Sequence, residues 1–125
     1  MKKISILFLI LSSFIYNSCT KPGLGGKAEI HFVVKHHSTL IPGSVVYIKY
    51  DAKDFPGDDL SKYDASVITD HMAHSHFDDL KKGNYYLYAV GFDSTINQTV
   101  GGGMNVKITK KDEMADVTIQ VTEGD

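Results

Sequence analysis

The feature that most restricts this chain is a hydrophobic period of two. From Lys27 onward apolar and polar residues alternate, and no stretch sustains the spacing of an amphipathic helix. Ala28, Ile30, Phe32 and Val34 fall on one side, and Glu29, His31, Val33 and Lys35 on the other. Successive side chains of a strand point to opposite faces, so such a segment buries one face against a core. Val45–Tyr50 is a second strand, rich in β-branched and aromatic residues. Asn84–Phe92 sets Tyr85, Leu87 and Ala89 on one face against Tyr86, Tyr88, Val90 and Phe92 on the other. Both faces are apolar or aromatic, which predicts a central strand covered on both sides. Met104–Thr109 and Val117–Val121 alternate as well, joined by the charged turn Lys110–Asp116. Ser66–Thr69 and His74–Phe77 read as a hairpin turning through Asp70–Ala73. Ile41–Ser44 reads as a turn, Asp51–Asp64 as a long polar loop, and Gly101–Gly103 as a turn or bulge. The expected fold is all-β, a seven- or eight-stranded antiparallel sandwich over residues 27–125.

The residues before that domain read as an address. Met1-Lys2-Lys3 is a short positive start, and Ile4–Ile15 is apolar except for three serines. The apolar run is too short for a bilayer span, which needs about 20 residues, but suits the apolar part of a secretory signal peptide. Cys19 follows the small Ser18, in the manner of a bacterial lipoprotein's lipobox, with Tyr16 standing where that pattern usually has Leu. Residues 1–18 are therefore expected to be a lipoprotein signal peptide, and 19–26 a lipidated Cys19 with a glycine-rich flexible tether. A free thiol is a liability in an oxidising compartment, and acylation consumes it. Thr20 is not the Asp that would resemble an inner-membrane retention signal, so the expected location is the outer membrane, facing the periplasm or the cell surface.

Composition excludes several functions. All 13 basic residues are Lys, against 15 Asp and Glu, and removal of Lys2 and Lys3 makes the mature chain more acidic. Arg is the favoured fork for phosphates and guanine edges, so its absence argues against nucleic-acid binding and phosphoryl chemistry. One Cys excludes an internal disulfide framework. Gly101–Gly103 precedes a strand, and a phosphate cradle needs a helix N-terminus. No nucleophile elbow is present.

Leu40-Ile41-Pro42-Gly43-Ser44-Val45-Val46-Tyr47, then Thr69-Asp70, then the block Phe77-Asp78-Asp79-Leu80-Lys81-Lys82-Gly83-Asn84-Tyr85-Tyr86-Leu87-Tyr88-Ala89 carry a resemblance. Together they resemble the carboxypeptidase regulatory-like domains, within the wider transthyretin-like (prealbumin-like) group of seven-stranded sandwiches. The resemblance covers residues 28–122. It implies that Gly43 sits in a turn, that Phe77 and Leu80 bury where the chain crosses to the next strand, and that Gly83 takes a positive φ. Tyr85 and Leu87 would face the core between the sheets. In one place the chain departs from the pattern: where the family usually has Asp-x-x-Gly, this chain has Asp70-His71-Met72-Ala73, followed by His74. The fold does not imply a function. The related hydroxyisourate hydrolases carry a C-terminal Tyr-Arg-Gly-Ser that is absent here.

Six histidines supply the remaining chemistry: His31, His36, His37, His71, His74 and His76. His74 and His76 stand two apart, so on a strand both rings share a face. Two imidazoles so placed can share Zn or Cu, with His71, Asp70 or His36 as a further donor. The same alternation also fits a solvent-facing strand. Ala73-His74-Ser75-His76-Phe77 also resembles the iron-ligand segment of intradiol dioxygenases, with Tyr63 as a further ligand but without the Arg those enzymes need. Asp51, Asp54, Asp58, Asp59 and Asp64 lack the ligand spacing of an EF-hand and read as a solvated loop. If Tyr86 and Tyr88 lie exposed, they form an aromatic platform for glycan or protein.

The resulting expectation is a non-catalytic lipoprotein serving as a small binding or accessory module. It would be held to the membrane by its lipid, with an envelope protein or glycan as partner and no nucleic acid. Two alternatives are a periplasmic metal-binding protein using the His hairpin and an intradiol-type enzyme.

Overall fold

The computed structural model describes residues 21–124, so Cys19 and the stretch 1–18 lie outside the described residues. Among the described residues nine strands form two sheets. In the first, β1 (Leu24–His36) is central: β5 (His74–Leu80) and the short β2 (Thr39–Leu40) pair with it antiparallel. On its other edge β8 (Met114–Gln120) pairs with it in parallel. The second sheet runs β4 (Ala65–Ile68), β3 (Val45–Tyr50), β6 (Gly83–Asp93), β7 (Gln98–Ile108) and β9 (Thr122–Glu123), antiparallel throughout. The all-β sandwich is thus the architecture, and the departure from the expected antiparallel pattern is the parallel pair of β1 and β8. That pair arises because the last long strand returns beside the first after crossing from the other sheet.

The core follows the alternation. Ala28, Ile30, Phe32 and Val34 of β1 are buried, as are Val46 and Ile48 of β3. Tyr85, Leu87 and Ala89 of β6 have no exposed surface, and Phe77 and Leu80 of β5 close over the same cluster. Val100, Val106 and Ile108 of β7 complete the core with Ile119 and Val121, and burying one such aliphatic side chain is worth about 1.5–3 kcal/mol.

Four local expectations need correction. Ser66–Thr69 and His74–Phe77 are not a hairpin: β4 pairs with β3 and β5 pairs with β1, so Asp70–Ala73 carries the chain from one sheet to the other. The apolar face of β5, with Phe77 and Leu80, is buried in the core between the sheets, while its edge pairs with β1. The turn stays tight without glycine, because Ala73 itself takes φ 61°. Asp70 holds it, its Oδ1 accepting from the backbone N–H groups of Met72 and His74 at 2.9 and 3.0 Å.

Gly101–Gly103 is not a turn but the middle of β7. A side chain on Gly102 would run into the carbonyl oxygen of Gln120, where β8 passes over β7. The first strand starts at Leu24, inside the stretch 19–26 expected as tether. Lys81 N donates to the Gly23 carbonyl at 2.8 Å, which fastens this entrance to the domain. Finally, β6 is central but not covered along its whole length, since Phe92 is half-exposed at its end.

Gly43 occupies the turn between β2 and β3. Gly83 opens β6 at φ 139°, a conformation that L side chains rarely adopt. The hydroxyl of Tyr85 accepts from Gly23 N–H at 2.8 Å and donates to the Lys81 carbonyl at 2.7 Å, joining the chain's entry into the sandwich to the β5–β6 turn. Tyr85→Phe leaves the ring in place and strips those partners. It is expected to cost about 1–3 kcal/mol in urea unfolding and to speed amide exchange at Gly23. Unchanged exchange there would show that the hydroxyl does not hold this segment.

Candidate functional site

The alternation of β1 sorts its histidines onto opposite faces. His31 points outward with Glu29 and Val33, while His36 lies on the buried side with Ile30, Phe32 and Val34. Register places His76 opposite His31 and His74 opposite Val33. The His31 and His76 rings stack with centroids 5.0 Å apart, and His74 lies 6.0 Å from His31. His74 and His76 therefore share a face as expected, but the third imidazole is His31. His36 is on the other side of β1, Asp70 is committed to the turn backbone, and His71 stands exposed in that turn. Backbone hydrogen bonds, from His74 first, hold the Asp70 carboxyl below its usual value. His31 also bonds Glu29 at 2.7 Å. From β8, Asp116 stands beside His31 and Thr118 beside Val33. These side chains line an open recess of about 200 Å³ that also takes in His74.

The second cluster lies on the inner face, where three chain segments meet. His36 is 4% exposed, yet both its ring nitrogens face carboxylates. Nδ1 is 2.7 Å from Asp93 Oδ2, and Nε2 is 3.1 and 3.2 Å from the two oxygens of Glu123. Thr95 donates its backbone N–H and hydroxyl to the other oxygen of Asp93, at 2.9 and 2.6 Å. Asp93 is held down to about 2, first by the Thr95 hydroxyl and then by His36. The Asp93 hydrogen bond is the main cause that raises His36; burial opposes it and Glu123 adds to it. Glu123 is lowered, first by its own backbone N–H and next by His36. The neighbouring His37, at φ 57°, brings its ring to 4.5 Å from that of His36. Among the described residues, His36, His37 and Glu123 are the group whose donor atoms all lie within 4.8 Å of one another. The His36-His37 doublet is visible in the sequence, but nothing local marks Asp93 or Glu123 as its partners.

The outer face of the second sheet is aromatic. Tyr63 stacks on Tyr88 at 6.0 Å and approaches Tyr47 at 5.8 Å. Phe55 lies 5.2 Å from Tyr88 and 5.9 Å from Tyr86. Tyr86 and Tyr88 are thus partly covered by the loop between β3 and β4, whose Phe55 remains half-exposed. Two aspartates of that loop have separate tasks. Asp59 caps the short 3-10 turn Leu60–Lys62, and Asp64 accepts from Tyr50 N–H at 2.7 Å. Tyr63, whose hydroxyl donates to the Gly57 carbonyl at 2.8 Å, belongs to this layer, on the far side of the sandwich from His74 and His76. The dioxygenase ligand set is therefore not assembled.

Burial, with Tyr88 and Tyr86 adjoining, pushes the Tyr63 phenol from 10.0 up to about 12. The folded protein thus favours the neutral phenol. Stability from this group is intact below pH 10 and falls as pH rises toward about 12. Tyr63→Phe is expected to flatten that alkaline loss and to remove the last step of tyrosinate absorbance. A titration indistinguishable from the wild type would show that Tyr63 is not held in the layer.

Lysines gather where the chain enters the sandwich. Lys27, Lys81, Lys82 and Lys111 surround Gly25 and Gly26 in a recess of about 270 Å³.

Two sheets packed face to face define the class, an all-β sandwich. No family model matches the chain, and no curated protein matches it. Among solved structures it is similar to BcpA, the major pilin subunit of Bacillus cereus, with a TM-score of 0.52 at 12% identity. The match covers 77% of this chain and 30% of the pilin, so the chain spans less than a third of that protein's length. At this identity the likeness concerns the fold.

Proposed function

We propose that the chain is a non-catalytic lipoprotein, a small binding or accessory module held at the bacterial outer membrane through Cys19. The carrying observation is the lone Cys19 behind a short apolar run and a positive start, a few residues ahead of a sandwich whose first strand begins at Leu24. The lysine recess at the entrance of the domain would then lie next to the bilayer, where cationic side chains are favoured by anionic headgroups. The aromatic layer around Phe55, Tyr86 and Tyr88 is the face best suited to a glycan or an envelope protein, because rings offer large apolar area with a polar edge. In a bacterial host, Cys19→Ala is expected to move the protein from the membrane to the soluble fraction. Retention in the membrane would overturn the anchor.

A second reading is favoured by one observation, the three imidazoles on the outer face of the first sheet. His31, His74 and His76 would hold Zn²⁺ or Cu²⁺ there, since nitrogen donors suit both ions. Calorimetry with each ion should give a heat that is lost in His74→Ala/His76→Ala. Equal heats in both proteins would remove this reading.

A further inference from the structure

We propose that His36, His37 and Glu123 form a second transition-metal site, of the Zn²⁺ class, with Asp93 as its positioning residue. The site lies on the opposite side of β1 from His31 and does not depend on the outer-face histidines.

The donor spacing already suits a metal. At the usual zinc–ligand lengths of about 2.0–2.2 Å, two donors sharing a tetrahedral ion stand roughly 3.3 Å apart. His36 Nε2 and the Glu123 oxygens stand 3.1–3.2 Å apart, so the ion can replace the proton between them with little movement of either chain. The third donor is the exposed imidazole of His37, whose donor atom lies within 4.8 Å of the other two.

The surroundings match what metal-bound histidine needs. A ligating imidazole usually donates its other N–H to a carboxylate, which fixes the tautomer and the ring plane. Asp93 stands at Nδ1 of His36 in that role and is itself held by Thr95. Charge also balances. Two neutral imidazoles, the Glu123 carboxylate and the nearby Asp93 carboxylate together neutralise a divalent ion. Two nitrogens and one oxygen are a normal zinc set, with a fourth position left to solvent beside exposed His37 and Glu123.

The backbone holds this geometry from three directions. Val121 N–H donates to the Lys35 carbonyl at 2.9 Å, delivering the chain from β8 to β9 beside His36. Glu123 is then fixed by its pairing with Val100. His36 and Asp93 close β1 and β6 respectively. A bound ion would therefore clamp the C-terminal strand to the first.

The test uses His74→Ala/His76→Ala protein without a purification tag, so that the outer face keeps only one of its three imidazoles, His31. Zn²⁺ is titrated by calorimetry, and Co²⁺ is followed by its visible absorption. One ion per chain is expected, with slower amide exchange in β9 when Zn²⁺ is present. In that background His37→Asn and Glu123→Gln should each weaken binding at least about 10-fold, the scale on which metal sites respond to losing a partner. Asn tolerates the left-handed backbone at position 37, so His37→Asn should keep its unfolding midpoint without metal, whereas Glu123→Gln keeps the shape but loses its ion pair with His36, so its metal affinity is read beside its own metal-free midpoint. Absence of binding in the double-alanine background would overturn the proposal. So would equal affinity in all three proteins. Loss of heat only when His74 and His76 are replaced would assign metal binding to the outer face alone.

Discussion

Leu87→Ala is expected to lower the unfolding free energy by about 2–5 kcal/mol, the range for deleting a buried leucine that leaves a cavity. Leu87 has no exposed surface and stands between Ile48 of β3 and Met104 of β7 in the second sheet. Its side chain points to the inter-sheet core beside Tyr85, with Phe77 and Leu80 in the same cluster. The residue is central in the sheet, so its neighbours are held by strands on both sides and cannot collapse freely into the space. Urea unfolding should show a lower midpoint with an unchanged slope. A loss below about 0.5 kcal/mol would mean that Leu87 does not face the core.

Gly102→Ala is the second large effect, and it acts through backbone rather than cavity. The added methyl would meet the Gln120 carbonyl oxygen, with Val121 Cα at 3.0 Å. No rotamer change relieves a clash with main chain on the crossing between β8 and β9. The expected cost is about 1–3 kcal/mol, the scale of overpacking, and more if the crossing cannot shift. Gly101→Ala is the control. Its new methyl would find Tyr88 Oη at 3.4 Å, an ordinary contact, and should change stability little. Equal effects at 101 and 102 would show that β8 does not lie against β7 at Gly102.

These two positions also show what the sequence reveals and what it withholds. That Tyr85, Leu87 and Ala89 share a face is legible because alternation is local, but Tyr86, Tyr88 and Val90 make the other face apolar as well, so only the resemblance implies which of the two is the inner one. Val45–Tyr50 is legible through its β-branched and aromatic content, and its observed bounds are those expected. Gly102 is not, because three successive glycines look like a turn, and their use is to admit a strand from elsewhere in the chain. The partners of β4 and β5 were hidden in the same way. Asp70–Ala73 declares a turn through its aspartate, but a turn does not say which sheets its flanks will join. β5 pairs with β1, and its Phe77 and Leu80 are buried among residues from both sheets, contacts that lie far apart in the chain.

The candidate sites divide along the same line. His74 and His76 share a face because strand geometry requires it, and that much can be read locally. The replacement of His36 by His31 as their neighbour depends on the register of β1 against β5. The partners of His36 are more distant still, since Asp93 and Glu123 are 57 and 87 residues away. No spacing rule joins them; the crossing of the last strands does.

Intact mass spectrometry of the protein extracted from bacterial membranes is the most direct measurement of the central claim. The expected product is a polypeptide that begins at Cys19 and carries lipid on that residue. A polypeptide cleaved elsewhere, with a free thiol at Cys19, would contradict it.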